Sequence, residues 1–162
     1  MKVSAQEEYG LRCLLQLAHL RAGESLSLGQ IAEREGISTA NAGKLLWLLN
    51  KAGLVQSLRG THGGYRLARP AAEIRLSDII KVLEDDEVKG HCKSYAGIMD
   101  ACVHHGDCGI RSVIVNLHEV VQSALSGITL AQLVGTEAHV GAMLHQIQGT
   151  AAQHLEPAGK HA

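Results

Sequence analysis

The residues best equipped for chemistry lie in one stretch, GHCKSYAGIMDACVHHGDCG, residues 90–109, which holds three cysteines, three histidines and four glycines. Cys92, Cys102 and Cys108 give the spacing C-x9-C-x5-C. Zinc knuckles and ribbons use pairs separated by about two to four residues, because one ion with sulfur bonds of about 2.3 Å draws its ligands together. No such pair occurs here. Wide spacing on a Gly-rich segment suits ligands wrapped around a larger object, and an iron-sulfur cluster held by thiolates is the first candidate. Spacing alone leaves two others open. One is a Cys3His zinc site completed by His91, His104 or His105; the other is a disulfide switch between two of the cysteines. The fourth cysteine, Cys13, falls within an apolar helical pattern and reads as a core thiol.

A chain of 162 residues can bury a core without metal or disulfide support, so the cysteines are not required for stability. With 46% hydrophobic residues it reads as soluble and globular. No apolar run approaches the roughly 18–20 residues of a membrane span, and the polar, acidic opening from Met1 to Glu8 does not resemble a cleavable signal. The expected setting is a reducing cytoplasm with no membrane partner, where cysteines serve as metal ligands or redox-active thiols rather than structural bridges. The formal net charge of −1 conceals an uneven distribution. Residues 1–70 carry nine Lys/Arg against five Asp/Glu, whereas residues 71–108 carry four against eight. The basic lean of the first part favours an anionic partner.

Helices must position these groups. Leu11, Leu14, Leu15 and Ala18 recur at helical spacing and predict a first helix ending near Ala22 and Gly23. Ser27-Leu28-Gly29-Gln30 is a capping box for a second, short helix that Gly36 ends in a left-handed conformation. Ser38 caps a third helix with an apolar stripe of Ala42, Leu45, Leu46 and Leu49, ending at Gly53. Two capped helices joined by a short glycine-containing turn match the helix-turn-helix pattern. The period then changes, and strands Leu54–Leu58 and Tyr65–Leu67 flank a Gly-rich turn. This is the order of a winged helix, giving a mainly α fold with a small β-hairpin wing.

Downstream, Ser77 is expected to cap a helix with Asp78 in its first turn. After the cysteine stretch, Ile110, Val113, Ile114, Leu117, Val120 and Val121 mark a long apolar helix stopped by Gly127 that suits a dimer seam. The expected organisation is a winged-helix DNA-binding domain over 1–84 and a cysteine-rich loop over 85–109. A dimerisation helix and a short C-terminal helix fill 110–134, and a mobile tail follows over 135–162.

The third helix is the expected reader of double-stranded DNA. Its N-terminal side chains Ser38, Thr39, Asn41 and Lys44 lie off the apolar stripe, where recognition helices meet base edges. Asn41 could pair bidentately with adenine. Gly43 within the helix costs about 1 kcal/mol against alanine, which suggests either close approach to something or simple tolerance. Trp47 also falls off the main stripe and is expected to be half-buried against a neighbouring element, in preference to a direct role at DNA. In the wing, Arg59, His62, Arg66 and Arg69 offer cations to phosphates or a minor groove. Single-stranded nucleic acid is a poor target, because its binders stack bases on aromatic rings and this chain has one Trp, three Tyr and no Phe. Hydrolases and transferases lack support, for there is no nucleophile motif, phosphate loop or paired-carboxylate cleft.

The segments EYGLRCLLQLA, IAEREGIS, LLNKAGLVQSLRGTHGGYRLARP, IRLSDII and ITLAQLV, with the three-cysteine stretch, resemble the IscR/NsrR family of bacterial winged-helix regulators, the Rrf-two family. The similarity spans about residues 1–134, and AGLV-S-RG--GGY-LARP is highly specific. The resemblance implies a homodimeric transcriptional repressor or activator, on a two-fold operator, whose iron-sulfur cluster controls DNA binding and reports cluster supply, iron, oxidants or nitric oxide. It implies that Arg59 enters the minor groove, that the third helix lies in the major groove, and that the helix after the cysteines makes the dimer. It further implies Cys92, Cys102 and Cys108 as cluster ligands.

The family's fourth ligand is either a histidine three residues past the last cysteine, where this chain has Arg111, or an acidic residue early in the first helix. Glu8 matches the second option and would reach the partner's cluster; Glu7 and the loop histidines are the other candidates. The first cysteine spacing is longer than the family's, and a 4Fe-4S cluster is favoured over 2Fe-2S. A cluster-free thiol or zinc switch is the rival regulator. From a different class, an electron carrier or interaction module on the same scaffold is opposed by the cationic wing.

Overall fold

Ser4 starts the first helix by a reciprocal cap. Its hydroxyl accepts from the Glu7 N–H at 3.2 Å, while the Glu7 carboxylate accepts from the Ser4 N–H at 2.6 Å. The computed structural model describes residues 3–60, 63–84, 104 and 107–153, with the side chains of 147–153 left aside. Helix α1 (Ala5–Ala18) buries Gly10, Cys13, Leu14 and Leu17 along one face. It stops four residues before the expected end. The Arg21 N–H donates to the Glu24 carboxylate at 2.9 Å, closing a turn that passes through Gly23 at φ +89° and turns the chain toward Leu26.

Helix α2 (Leu28–Glu35) carries the expected Ser27–Gln30 capping box and ends at Gly36, whose φ of 63° and ψ of 30° place it in the left-handed region. Helix α3 (Thr39–Lys51) begins at Ser38, whose hydroxyl accepts from the Asn41 N–H at 3.2 Å. Strands β1 (Val55–Leu58) and β2 (Gly64–Leu67) pair antiparallel with Val55 opposite Leu67 and Leu58 opposite Gly64. Each lies within one residue of its predicted start.

Sequence periodicity does not show what ties the hairpin to the helices. Leu26, just before α2, pairs with Tyr65 of β2 through two backbone hydrogen bonds of 3.1 and 2.7 Å. A Cβ at Gly64 would stand 2.6 Å from the Leu26 carbonyl oxygen, so glycine alone admits this approach. At Gly63 a Cβ would meet the Leu58 and Gly60 carbonyl oxygens at 2.6 and 2.7 Å. The paired glycines of HGGY are therefore explained by backbone packing.

Helix α4 (Leu76–Leu83) has Arg75, not Ser77, at its N-cap, and Ser77 is buried inside the helix. The reason is a long-range pairing that local sequence cannot reveal. The segment around Arg75 bridges Thr129, with Leu76 N–H donating to Ile128 at 2.8 Å and Leu130 N–H donating to Ile74 at 2.8 Å. That pairing fixes the helix start two residues before Ser77 and satisfies the Leu76 N–H, one of the donors that a helix leaves unpaired at its N-terminus. Helix α5 (Gly109–Ser126) and a 3-10 turn (Leu130–Leu133) follow.

The residues beyond Gly135, expected to form a mobile tail, instead hold helix α6 (Glu137–Gln153). The Val140 N–H donates to the Thr136 carbonyl at 3.0 Å and the His139 N–H to the Thr136 hydroxyl at 3.4 Å, so Thr136 acts as the cap. Ala, Met, Leu, Gln and Glu carry the helix by propensity where the apolar stripe is weak.

One core joins α1 to α4, the hairpin base and the 3-10 turn, centred on Leu14, Leu45, Leu49, Ile74, Leu83 and Leu130. Gly64→Ala is expected to destabilise the fold by about 1–3 kcal/mol, because a backbone oxygen must retreat and break the Leu26–Tyr65 pair. Gly29→Ala, in α2 with no atom within 4 Å of the added methyl, is expected to stabilise it by up to about 1 kcal/mol. Urea unfolding of both variants checks the contrast.

Candidate nucleic-acid interface and thiolate site

Helix α3 turns its apolar stripe inward, with Ala42, Leu45, Leu46 and Leu49 buried. The opposite side is polar and open. Ser38, Thr39, Asn41 and Lys44 are all exposed, clustered at the end of the helix that carries its unpaired N–H groups. The Ser38 hydroxyl accepts one hydrogen bond in the cap and retains its proton to donate. The nearest atom to a Cβ at Gly43 would be Leu28 Cδ2 at 3.8 Å, so the fold itself does not require glycine there.

Trp47 departs from expectation. It is 59% exposed rather than half-buried, and the Lys51 ammonium lies 5.3 Å from its ring centroid. The helical wheel carried this signal, since position 47 falls opposite the buried stripe.

The wing presents its cations unequally. Arg59 is exposed at the tip, next to Gly60 at φ +105°. Arg66 is partly buried and donates from Nε and Nη2 to the Gln56 amide oxygen at 3.2 and 3.0 Å, a cross-strand buttress set by the hairpin register. Sequence reasoning missed Gln56 because its role depends on that register. Arg69 pairs with Asp78 at 3.7 Å on the surface, a contact worth little in stability. His62 lies outside the described residues. Thus α3 and Arg59 supply exposed groups for a polyanion, and Arg66 is held by its neighbour.

Of the proposed metal ligands, Cys92 and Cys102 lie outside the described residues, as do His91 and His105. Cys108 is a free, half-exposed thiol at the N-cap of α5, and its side chain makes no capping hydrogen bond. His104 is exposed, and Arg111 occupies the first turn of α5. Glu8 is exposed early in α1 and accepts from Arg12 at 2.6 Å, while Arg12 also lies 5.5 Å from the Tyr9 ring. Among the described residues no three potential metal ligands come together. The donors that are described suit iron as far as their chemistry goes: an uncommitted thiol and a carboxylate held only by a solvent-exposed ion pair. Cys13 behaves as expected for a core thiol. It is fully buried, and burial, then the charge of Glu35, pushes its pKa up to about 11.

Helix α5 buries none of its 18 residues against the chain. Ile110 is 70% exposed, Val113 68% and Leu117 59%, with Ile114 also exposed and Val121 half-buried. Its contacts run to α4, through Gln122 donating to Glu84 at 3.4 Å.

The comparisons with known proteins agree with this geometry. The family described as Rrf2, iron-dependent transcriptional regulator, matches residues 3–136. Protein aau3 of Rhizobium meliloti is 35% identical over 145 residues, covering 89% of this chain and 92% of that protein. Protein rrf2 of Nitratidesulfovibrio vulgaris is 33% identical over 134 residues, covering 83% and 87%. Among solved structures, T. potens IscR is 31% identical and covers 98% of this chain and 94% of its own, with a TM-score of 0.61. The oxidized form of Staphylococcus aureus CymR is 29% identical, covers 84% and 98%, and gives a TM-score of 0.63. No helix among the described residues is long and apolar enough to cross a membrane. A helix-turn-helix with a two-stranded wing, matched over most of its length by one family, places the chain in the Rrf2 family of winged-helix transcriptional regulators, which act on DNA and are not enzymes.

Proposed function

We propose that this chain is a homodimeric, iron-sulfur cluster-dependent regulator of the cytoplasm, acting as a repressor on a two-fold operator. Its signal is redox state, nitric oxide or the supply of iron and clusters. The observation that carries the reading is a juxtaposition: Cys108 is the residue immediately before α5, and α5 is the helix whose apolar face is left uncovered. The third thiol and the dimer seam are consecutive in the chain.

Cys92, Cys102 and Cys108 would hold the cluster, with Glu8 as the fourth donor and 4Fe-4S favoured over 2Fe-2S. When bound, such a cluster orders its ligands and supplies iron that reacts with oxidants or nitric oxide, the more readily where a hard carboxylate is the ligand. The protein's part is mechanical. Helix α5 packs on α4, and α4 packs on both α1 and α3. A change in the setting of α5 therefore biases the spacing of the two reading helices across the dimer. Ser38, Thr39, Asn41 and Lys44 meet the major groove. Arg59, together with His62 and Arg66, would serve the minor groove and phosphates.

A second reading keeps the DNA-binding fold and moves sensing to thiols or zinc. It is favoured by the likeness to CymR of B. subtilis, described as a global cysteine regulator, at 29% identity and a TM-score of 0.61. Purification without oxygen separates the two. The cluster reading expects visible absorption with matched iron and sulfide, lost in Cys92→Ala, and the iron count distinguishes the two cluster types. A colourless protein carrying zinc or a disulfide supports the second.

Arg59→Ala is expected to weaken operator binding and lower the salt slope by about one, leaving metal content unchanged. Leu117→Lys, a charge placed in the exposed stripe of α5, is expected to give a monomer by light scattering with little loss of secondary structure. A dimer that survives it would remove α5 from the interface.

A further inference from the structure

Trp47 is the chain's single tryptophan, and apart from Val3 and the face of α5 it is the one large hydrophobic side chain exposed among the described residues. We propose that it is a DNA-contacting residue, its indole packing against the apolar wall of the major groove formed by deoxyribose and thymine methyl groups. The proposal rests on the reading of α3 as the helix that enters the groove.

Three observations converge on this occupant. At about 100° per residue, Ala40, Lys44, Trp47 and Lys51 share the line directly opposite the buried Ala42, Leu45, Leu46 and Leu49. An indole bracketed by two cations suits a polyanion with an apolar wall, and α3 carries no acidic residue to oppose one. A rise of about 1.5 Å per residue puts Trp47 about 12 Å along the axis from Thr39, comparable to the groove's width of about 12 Å. The side chains at the start of α3 and the indole can therefore engage the same duplex.

Lys51 gives the indole a fixed seat. Its ammonium, 5.3 Å from the ring centroid, narrows the ring's orientations before DNA arrives, which lowers the ordering cost of contact. The contact is apolar, so it should add affinity without releasing counterions. That separates it from every lysine and arginine of the interface.

The probe is a short duplex selected by the wild-type protein from a random-sequence pool, and the fluorescence of the folded protein reports Trp47 alone. Binding is expected to shift the emission to the blue and to protect it from acrylamide. Trp47→Ala is expected to weaken binding about 10-fold, equivalent to about 1.4 kcal/mol, with the salt slope unchanged. Trp47→Phe should recover most of the affinity, and an unaltered melting temperature shows that the variants fold. Deoxyuridine in place of thymine separates the two apolar surfaces: a loss of binding that Trp47→Ala no longer shows assigns the methyl groups, and no loss assigns deoxyribose. An emission unchanged in a complex that Arg59→Ala weakens overturns the proposal, as does a Trp47→Ala variant of wild-type affinity. Failure to select any duplex overturns the reading of α3 itself, and the inference falls with it.

Discussion

The seating of Leu83 on Gly10 is the contact on which the arrangement depends. A Cβ at Gly10 would lie 2.5 and 2.6 Å from the two Leu83 methyls, so glycine lets the buried Leu83 side chain seat directly on the backbone of α1, and any larger residue would have to displace it. The Gln6 amide donates to the Leu83 carbonyl at 2.8 Å and holds the last turn of α4 in place. Helix α4 is the common neighbour of α1, α3 and α5, so this one close approach sets where the long outer helix leaves the domain. Interdigitated cores respond to displacement by discrete repacking rather than smooth deformation. The coupling proposed between α5 and the reading helices would run through this contact.

Local signals in the chain were legible wherever one residue and its near neighbours decide the outcome. The Ser27–Gln30 box, the left-handed Gly36 and the Ser38 cap each depend on atoms within three or four residues. The stripes of α3 and α5 were legible for the same reason. What the sequence withheld depends on distant partners: Ser77 looked like a cap until Ile74–Leu76 paired with Ile128–Leu130, and Gly64 looked like a turn residue until Leu26 approached. Helix α6 was missed because its apolar periodicity is weak and propensity carries it.

The candidate site divides along the same line. The exposure of Asn41 and Lys44 followed from the position of the apolar stripe, whereas Trp47, expected to be half-buried, is exposed because its place opposite that stripe leaves it without a neighbouring element. The inequality between Arg59 and Arg66 did not. It arises from a cross-strand partner, Gln56, that only the hairpin register identifies. Glu8 was picked out by its place in a resembling sequence, and its ion pair with Arg12 follows simply from i, i+4 geometry.

The pairing of Arg75 with Thr129 has a consequence for how the thiol segment can change. Its two hydrogen bonds through Leu76 and Leu130 bring the start of α4 and the end of α5 together, so everything between them is an excursion closed at its base. The entropy of closing such an excursion grows only with the logarithm of its length, about 0.6 kcal/mol for each doubling. On the proposed cluster reading, the nine-residue interval between Cys92 and Cys102 falls wholly within that excursion, so its length is set apart from the pairing that fixes the helix-turn-helix and wing.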